Sequence, residues 1–253
     1  MTAHRPPYGQ RLSFADAGEA ADLVAFLARL IHYDRAAAVR LQAGGGVLAV
    51  FGRPPSFEVL AIRTARLAGD AGDTPFDTTV SAGQLADALD TAGRTASGGL
   101  EITVPDAVTG PPWAGVLPPR GGWQRVEGLP DVTAARGAVA AAVAEFRARD
   151  EALPEQHRTR GERDRIGREI WSRTLGETGL PLRAVHAAQS LGFLRPLPTG
   201  AVARQPARAG GGVALAPEPL TLFAAGGWLR LRTPYGSVAV RTGGVTGLTV
   251  TPA

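Results

Sequence analysis

The stretch Leu220-Thr221-Leu222-Phe223-Ala224-Ala225-Gly226-Gly227-Trp228-Leu229-Arg230-Leu231-Arg232-Thr233-Pro234-Tyr235-Gly236-Ser237-Val238-Ala239-Val240-Arg241 decides how the rest of the chain is read. The runs Leu220–Phe223, Trp228–Arg232 and Ser237–Arg241 follow a period of two, the signature of half-buried strands. Gly226-Gly227 and Pro234-Tyr235-Gly236 have the composition and length of turns between antiparallel neighbours. With Gly243-Gly244 and Val245–Val250 beyond them, the pattern predicts a β-meander. The same alternation sorts the side chains. Leu229, Leu231, Val238 and Val240 are expected on an inner face, and Arg230, Arg232 and Arg241 together on the outer one.

Upstream the period changes to that of helices. Pro130-Asp131 caps a run carrying Val132, Val139, Val143 and Phe146 on one face, which ends before Pro154. Arg163–Thr174 reads as a second helix with Ile166, Ile170 and Trp171 inward. Gly179-Leu180-Pro181 then turns the chain into a third, with Pro181 suited to the first helical position, ending at Gly192. Two helices, a tight turn, a third helix and strands is the order of a winged helix-turn-helix. On the third helix Leu182, Ala184, Val185, Ala188 and Leu191 share one half of the wheel. Arg183, His186 and Ser190 share the other, with Gln189 at its margin, and those polar groups suit bases and phosphates. Ala201–Arg204 offers a further strand within the long segment 192–215.

The region before about Gly128 has a different order. Asp16 and Glu19 form a capping box ahead of Leu23, Phe26, Leu27, Leu30 and Ile31, an apolar stripe at helical spacing. Ala38–Leu41, Val47–Phe51 and Phe57–Arg63 read as strands, and Thr78–Val80 as another that enters a helix capped by Ser81 and Gln84. Leu100–Val104 reads as one more strand. This order predicts a mixed or antiparallel sheet with helices on one face. The run Phe76-Asp77-Thr78-Thr79-Val80-Ser81-Ala82-Gly83-Gln84-Leu85 resembles the strand-into-helix step of a sliding-clamp repeat unit. That likeness covers only the first region up to Pro105 and carries no specific motif. From Thr109 to Gly128 the chain is dense in Pro and Gly, so regular structure is not expected there and a domain boundary is placed near its end. The expected organisation is an α+β domain over 10–128 and a helical, winged-helix-like segment with a β-meander over 129–253. Trp113 and Trp123 flank the Pro-rich stretch, and pinning it onto the sheet is the favoured reading of them.

Composition bounds the function. In 253 residues, 44% are apolar and 20% charged, ordinary values for a folded chain. No run approaches the roughly 18 apolar residues of a membrane helix, and Met1–Gln10 has no apolar core of a signal peptide, so a cytoplasmic protein is expected. The absence of cysteine excludes disulfides, thiolate metal sites and cysteine nucleophiles. All 27 basic residues are arginine, and with lysine and asparagine both absent this reads as the codon bias of a GC-rich genome. Codon bias does not explain where the acids are. Residues 1–130 carry a net −2, residues 131–182 are neutral, and residues 183–253 carry +6 with Glu218 as their single acid. The last third is therefore expected to meet an acidic partner.

A search for catalytic signatures is largely negative. There is no nucleophile elbow, phosphate loop or metal-ligand spacing among His4, His32, His157 and His186, and no cofactor is expected. The glycine triplets at 44–46 and 210–212 read as strand-connecting loops. His32 and Asp34 could make an acid–base pair, but a His and an Arg at a helix C-terminus also answer its dipole. Asp70, Asp73 and Asp77 crowd one loop without the spacing of a calcium site. The reading that results is a non-enzymatic DNA-binding or regulatory module. Arg183, His186 and Gln189 would face the groove, Arg230, Arg232 and Arg241 would hold phosphates, and the N-terminal domain would supply dimerisation or a partner surface. A protein scaffold whose basic sheet meets an acidic protein is the alternative, and an enzyme with its site near His32 and Asp34 a third.

Overall fold

The computed structural model describes residues 9–68, 75–94, 99–195 and 220–242. In chain order the described elements are β1 (Arg11–Phe14), α1 (Ala17–Tyr33), β2 (Ala38–Gly44), β3 (Val47–Gly52), β4 (Leu60–Arg66), β5 (Phe76–Ser81), α2 (Ala82–Asp90), β6 (Gly93–Arg94) and β7 (Leu100–Thr103). There follow β8 (Gln124–Val126), α3 (Val132–Glu151), α4 (Arg160–Ser172), α5 (Leu182–Ser190), β9 (Thr221–Ala225), β10 (Trp228–Thr233) and β11 (Gly236–Arg241). The protein is α+β, and every pairing among the described strands is antiparallel.

Capping fixes where the helices begin. The Asp16 carboxylate accepts the Gly18 N–H at 2.6 Å to open α1, and Asp131 accepts the Ala134 N–H at 2.8 Å to open α3. Ser81 opens α2 by accepting from Gln84, and Thr159 opens α4 by accepting from Glu162. Glu19 does not close the expected box at Asp16. It accepts instead from the backbone N–H and the Nε of Arg66, at 2.6 and 2.8 Å, and so ties α1 to the end of β4.

Eight strands form one sheet in the order β5-β2-β3-β4-β11-β10-β9-β8, and β1-β7-β6 form a second, smaller one. The join between the early and late parts of the chain is β4 against β11, with Ile62 opposite Ser237, Ala61 opposite Val238 and Leu60 opposite Ala239. Strand β8 lies before Gly128 in sequence yet pairs with β9, so the sheet runs across the boundary drawn from composition. Its inner face carries Leu41, Val50, Ala61, Val238, Leu229, Leu231 and Leu222, all in one core with Leu23, Phe26, Leu27 and Leu30 of α1. Ile166 and Ile170 of α4 and most of α5 complete that core.

Two features hold the early and late parts together beneath the sheet. Phe26 stacks on Phe193 at 5.7 Å between ring centres. Gly236 lets that ring approach, since a Cβ there would stand 2.7 Å from Phe193 and 3.0 Å from the Ile62 carbonyl, on a backbone with φ of 149°. Nearby, buried Arg63 donates to Asp22 at 2.8 Å and to the Tyr235 carbonyl, and Arg195 donates to the other Asp22 oxygen at 2.8 Å. Burial pulls the Arg63 guanidinium below its ordinary pKa, and the Asp22 charge opposes that.

On the outer face Phe51, Leu60, Ile62, Trp228 and Ala239 make a smaller apolar cluster, and Trp113, Leu117 and Trp123 pack down on it. The Pro/Gly-dense segment is thereby pinned to the sheet, its Trp123 Nε1 donating to the Pro119 carbonyl at 3.1 Å.

Several boundaries differ from the expectations. The segment 109–128 is not wholly irregular, because it holds a 3-10 turn at Pro112–Gly115 and strand β8. Phe57 is not in a strand: Ser56 and Glu58 beside it have φ of 70° and 53°, and β4 starts only at Leu60. Pro181 precedes α5 as its N-cap rather than opening it. Val245–Val250, Ala201–Arg204, the 210–212 triplet, His4, Asp70 and Asp73 lie outside the described residues. Among the described residues no helix is long and apolar enough to cross a membrane.

Candidate functional site

Strand pairing brings the three meander arginines to one face. Arg230 and Arg232 alternate with buried Leu229 and Leu231 on β10, and Arg241 on β11 lies opposite Trp228. Their surroundings differ. Arg230 is half-buried, with its Nε donating to the Ser237 hydroxyl at 3.0 Å and its guanidinium 5.8 Å from the centre of the Trp123 ring. Burial pushes its pKa below the ordinary value, and the charge of Arg232 pushes it further the same way. The Arg241 guanidinium sits 5.7 Å from the centre of the Trp228 ring. Arg232 is exposed. Among the described residues no carboxylate lies within ion-pair distance of any of the three. The site is thus a group of cations, one of them partly desolvated, on an aromatic bed.

The expected helix residues are not part of this group. In α5, Leu182, Ala184, Val185, Ala187 and Ala188 are buried, so most of the helix is sealed against the core. His186 is half-buried, stacked on Trp171 at 4.4 Å and edge-on to Phe57 at 5.2 Å, and burial holds its pKa below the ordinary range. Arg183 comes within 3.8 Å of Glu58, and its Nε is buried without a hydrogen bond. Gln189 alone of the three is exposed. A helix seated in this way has little polar face left to enter a groove.

His32 and Asp34 are not brought together as a site either. His32 lines a shallow cavity of about 380 Å³ with Arg29, Tyr33 and Ser190, whereas Asp34 lines a different one and accepts the Ala36 N–H at 2.9 Å. Asp77 is taken up by Arg40 and Gln42, and no group of three or more metal-binding side chains occurs among the described residues.

The net neutrality of residues 131–182 has a physical counterpart on α3 and α4. Arg149 grips Glu169 through two bonds of 2.8 Å, and Arg173 grips Glu145 at 2.6 and 2.8 Å. Arg163 pairs with Asp150 and Arg165 with Glu162, each at 2.8 Å. The Glu169 carboxyl is pushed down to about 2 by the Arg149 hydrogen bond. These arginines are satisfied within the fold.

Trp123 and Ser237 are parts of the site that sequence reasoning did not assign. The alternation did carry a signal for Ser237, which falls on the same side of its strand as Arg241.

Comparison with solved structures finds the H. pylori beta clamp in complex with 5-chloroisatin, at 9% identity and a TM-score of 0.43, over 94% of this chain and 65% of that one. The chain therefore spans just under two thirds of that protein. No curated protein matches. Residues 8–115 match the model described as Domain of unknown function (DUF8010). Residues 118–245, half of the chain, match a second model, and the chain belongs to that family, Domain of unknown function (DUF8185).

Proposed function

We propose that the chain is a non-enzymatic binding module that holds the phosphate backbone of duplex DNA on the outer face of β10 and β11. The observation that carries this reading is the half-buried, carboxylate-free guanidinium of Arg230 beside Arg232 and Arg241. A partly desolvated cation without a counter-charge is electrostatically unfavourable, and an incoming anion relieves it. Arginine matches phosphate geometry through its planar fork of donors. The burial of α5 favours contact with backbone over base edges, so affinity should depend on salt and little on sequence.

A second reading keeps the same surface and changes the partner to an acidic protein. It is favoured by Trp123 beside Arg230, since Trp and Arg are enriched in protein interfaces. Fluorescence anisotropy of two unrelated labelled duplexes, with unlabelled duplex and poly-glutamate as competitors, separates the two. The DNA reading expects both duplexes to bind near physiological salt with similar affinity. Absence of binding to either duplex, with saturable binding of labelled poly-glutamate, would replace it with the protein reading.

A further inference from the structure

On the β2–β5 side of the molecule a cleft of about 430 Å³ lies between the end of α1, the loop after β3, the start of α2 and the segment 108–113. Its size is at the small end of ligand sites, which run from roughly 300 to 1,000 Å³. The lining is chemically divided. Arg53 is exposed and has neither ion pair nor hydrogen bond among the described residues. Asp34 has one oxygen taken by the Ala36 N–H and no described partner for the other. The rest of the lining is mixed: Ser81, Thr109 and Gly110 supply polar surface, and beside them Val108 leaves 38% of its surface open. Trp113, packed on one side against the outer-face cluster, lines the cleft as well.

The loop that carries Arg53 is fixed rather than slack. Ser56 and Glu58 occupy the left-handed region at φ of 70° and 53°, where non-glycine residues are uncommon. Phe57 between them packs edge-on against Tyr33 at 5.7 Å and against His186 at 5.2 Å. Backbone held in such a conformation by its surroundings is characteristic of functional loops.

We infer that this cleft binds a small zwitterion bearing an apolar side chain, of the class of a free apolar amino acid or dipeptide. A ligand carrying only a carboxylate would meet Arg53 but also Asp34, and one carrying only an amine would meet the reverse. A ligand with both charges satisfies both, and its side chain covers Val108 and the indole of Trp113. The inference is independent of the reading proposed for β10 and β11.

Isothermal titration of the full chain with L-leucine and L-leucyl-L-leucine tests it. At least one of the two should bind saturably, and 4-methylpentanoate and 3-methylbutylamine, each lacking one charge, should bind about tenfold more weakly or worse. Arg53→Ala should weaken the zwitterion by about tenfold or more, because a charge-assisted contact is lost. Asp34→Asn retains an acceptor for Ala36 and should weaken it too, with an unchanged melting temperature confirming that the variant folds. Three results would overturn the inference: no saturation by either zwitterion up to about 10 mM, equal binding of the carboxylate-only analogue, or affinity untouched by Arg53→Ala.

Discussion

Arg40 on β2 and Arg232 on β10 stand in the same cross-strand row of one sheet face, linked through Phe51, Ile62 and Ser237, yet their surroundings are opposed. Arg40 places Nε and Nη2 on the two oxygens of Asp77 at 2.6 and 2.7 Å, and its third nitrogen donates to the Ala114 carbonyl. Donating to the Asp77 carboxylate raises the pKa of Arg40. Among the described residues Arg232, with neighbouring Arg230, has no such carboxylate, and burial lowers the pKa of Arg230. The same residue type on the same surface is therefore structural at one end and available at the other. What separates the two is the distribution of acids, which are plentiful before residue 130 and nearly absent after 183.

The largest expected effect would come from breaking the shared inner face. Leu231 is fully buried opposite Val238 and Leu222, so Leu231→Ala should cost about 2–5 kcal/mol in denaturant unfolding. Since β4 and β11 join the ends into one sheet, amide exchange in β2 should accelerate along with that in β10. Acceleration confined to β9–β11 would mean that the two ends are stabilised separately.

A smaller effect would sharpen the contrast at the satisfied end. Burial alone would push the Asp77 carboxyl up, but hydrogen bonds from Arg40 and Gln42, with the charge of Arg40, bring it below its ordinary value. A depressed folded pKa contributes stability that is present above the unfolded value of about 3.9 and is lost as pH falls through the folded one. Asp77→Asn should cost about 1 kcal/mol at neutral pH, a modest figure because both side chains are partly exposed. The stability curves of parent and variant should converge below about pH 4. Arg232→Ala, by contrast, should shift stability by no more than about 0.5 kcal/mol at any pH. A cost for Arg232→Ala equal to that of Asp77→Asn would erase the distinction.

The meander and its two faces were legible because strand alternation is a local property. Leu229, Leu231, Val238 and Val240 do face the core, and Arg230, Arg232 and Arg241 do share the other side. Helices α1 to α5 were legible from apolar spacing and, for α1, α2 and α3, from the caps Asp16, Ser81 and Asp131, within a few residues at the ends. The pairing of β4 with β11 was not, since it joins strands about 175 residues apart and no local pattern encodes which edge meets which. The helix order of α3–α5 suggested an exposed reading helix. What no local pattern shows is that His186 lies between Trp171 and Phe57, residues 15 before and 129 before it in the chain, while Gln189 is exposed. Strand β1 does alternate, with exposed Arg11 and half-buried Ser13 beside buried Leu12 and Phe14, but four residues, like the three of β8, are too few to tell a strand from a loop, and pairing partners define both.

Polyanion binding at Arg230, Arg232 and Arg241, as proposed, is put to the test by a salt titration of duplex binding. Parent protein and the triple variant Arg230→Ala, Arg232→Ala, Arg241→Ala would be compared by fluorescence anisotropy, with matched melting temperatures as the control for folding. Three phosphate contacts contribute about −2.7 to the slope of log affinity against log salt concentration. The variant is expected to bind more weakly, with a slope shallower by about that amount. Duplex binding with the parent's affinity and slope in the triple variant would contradict it.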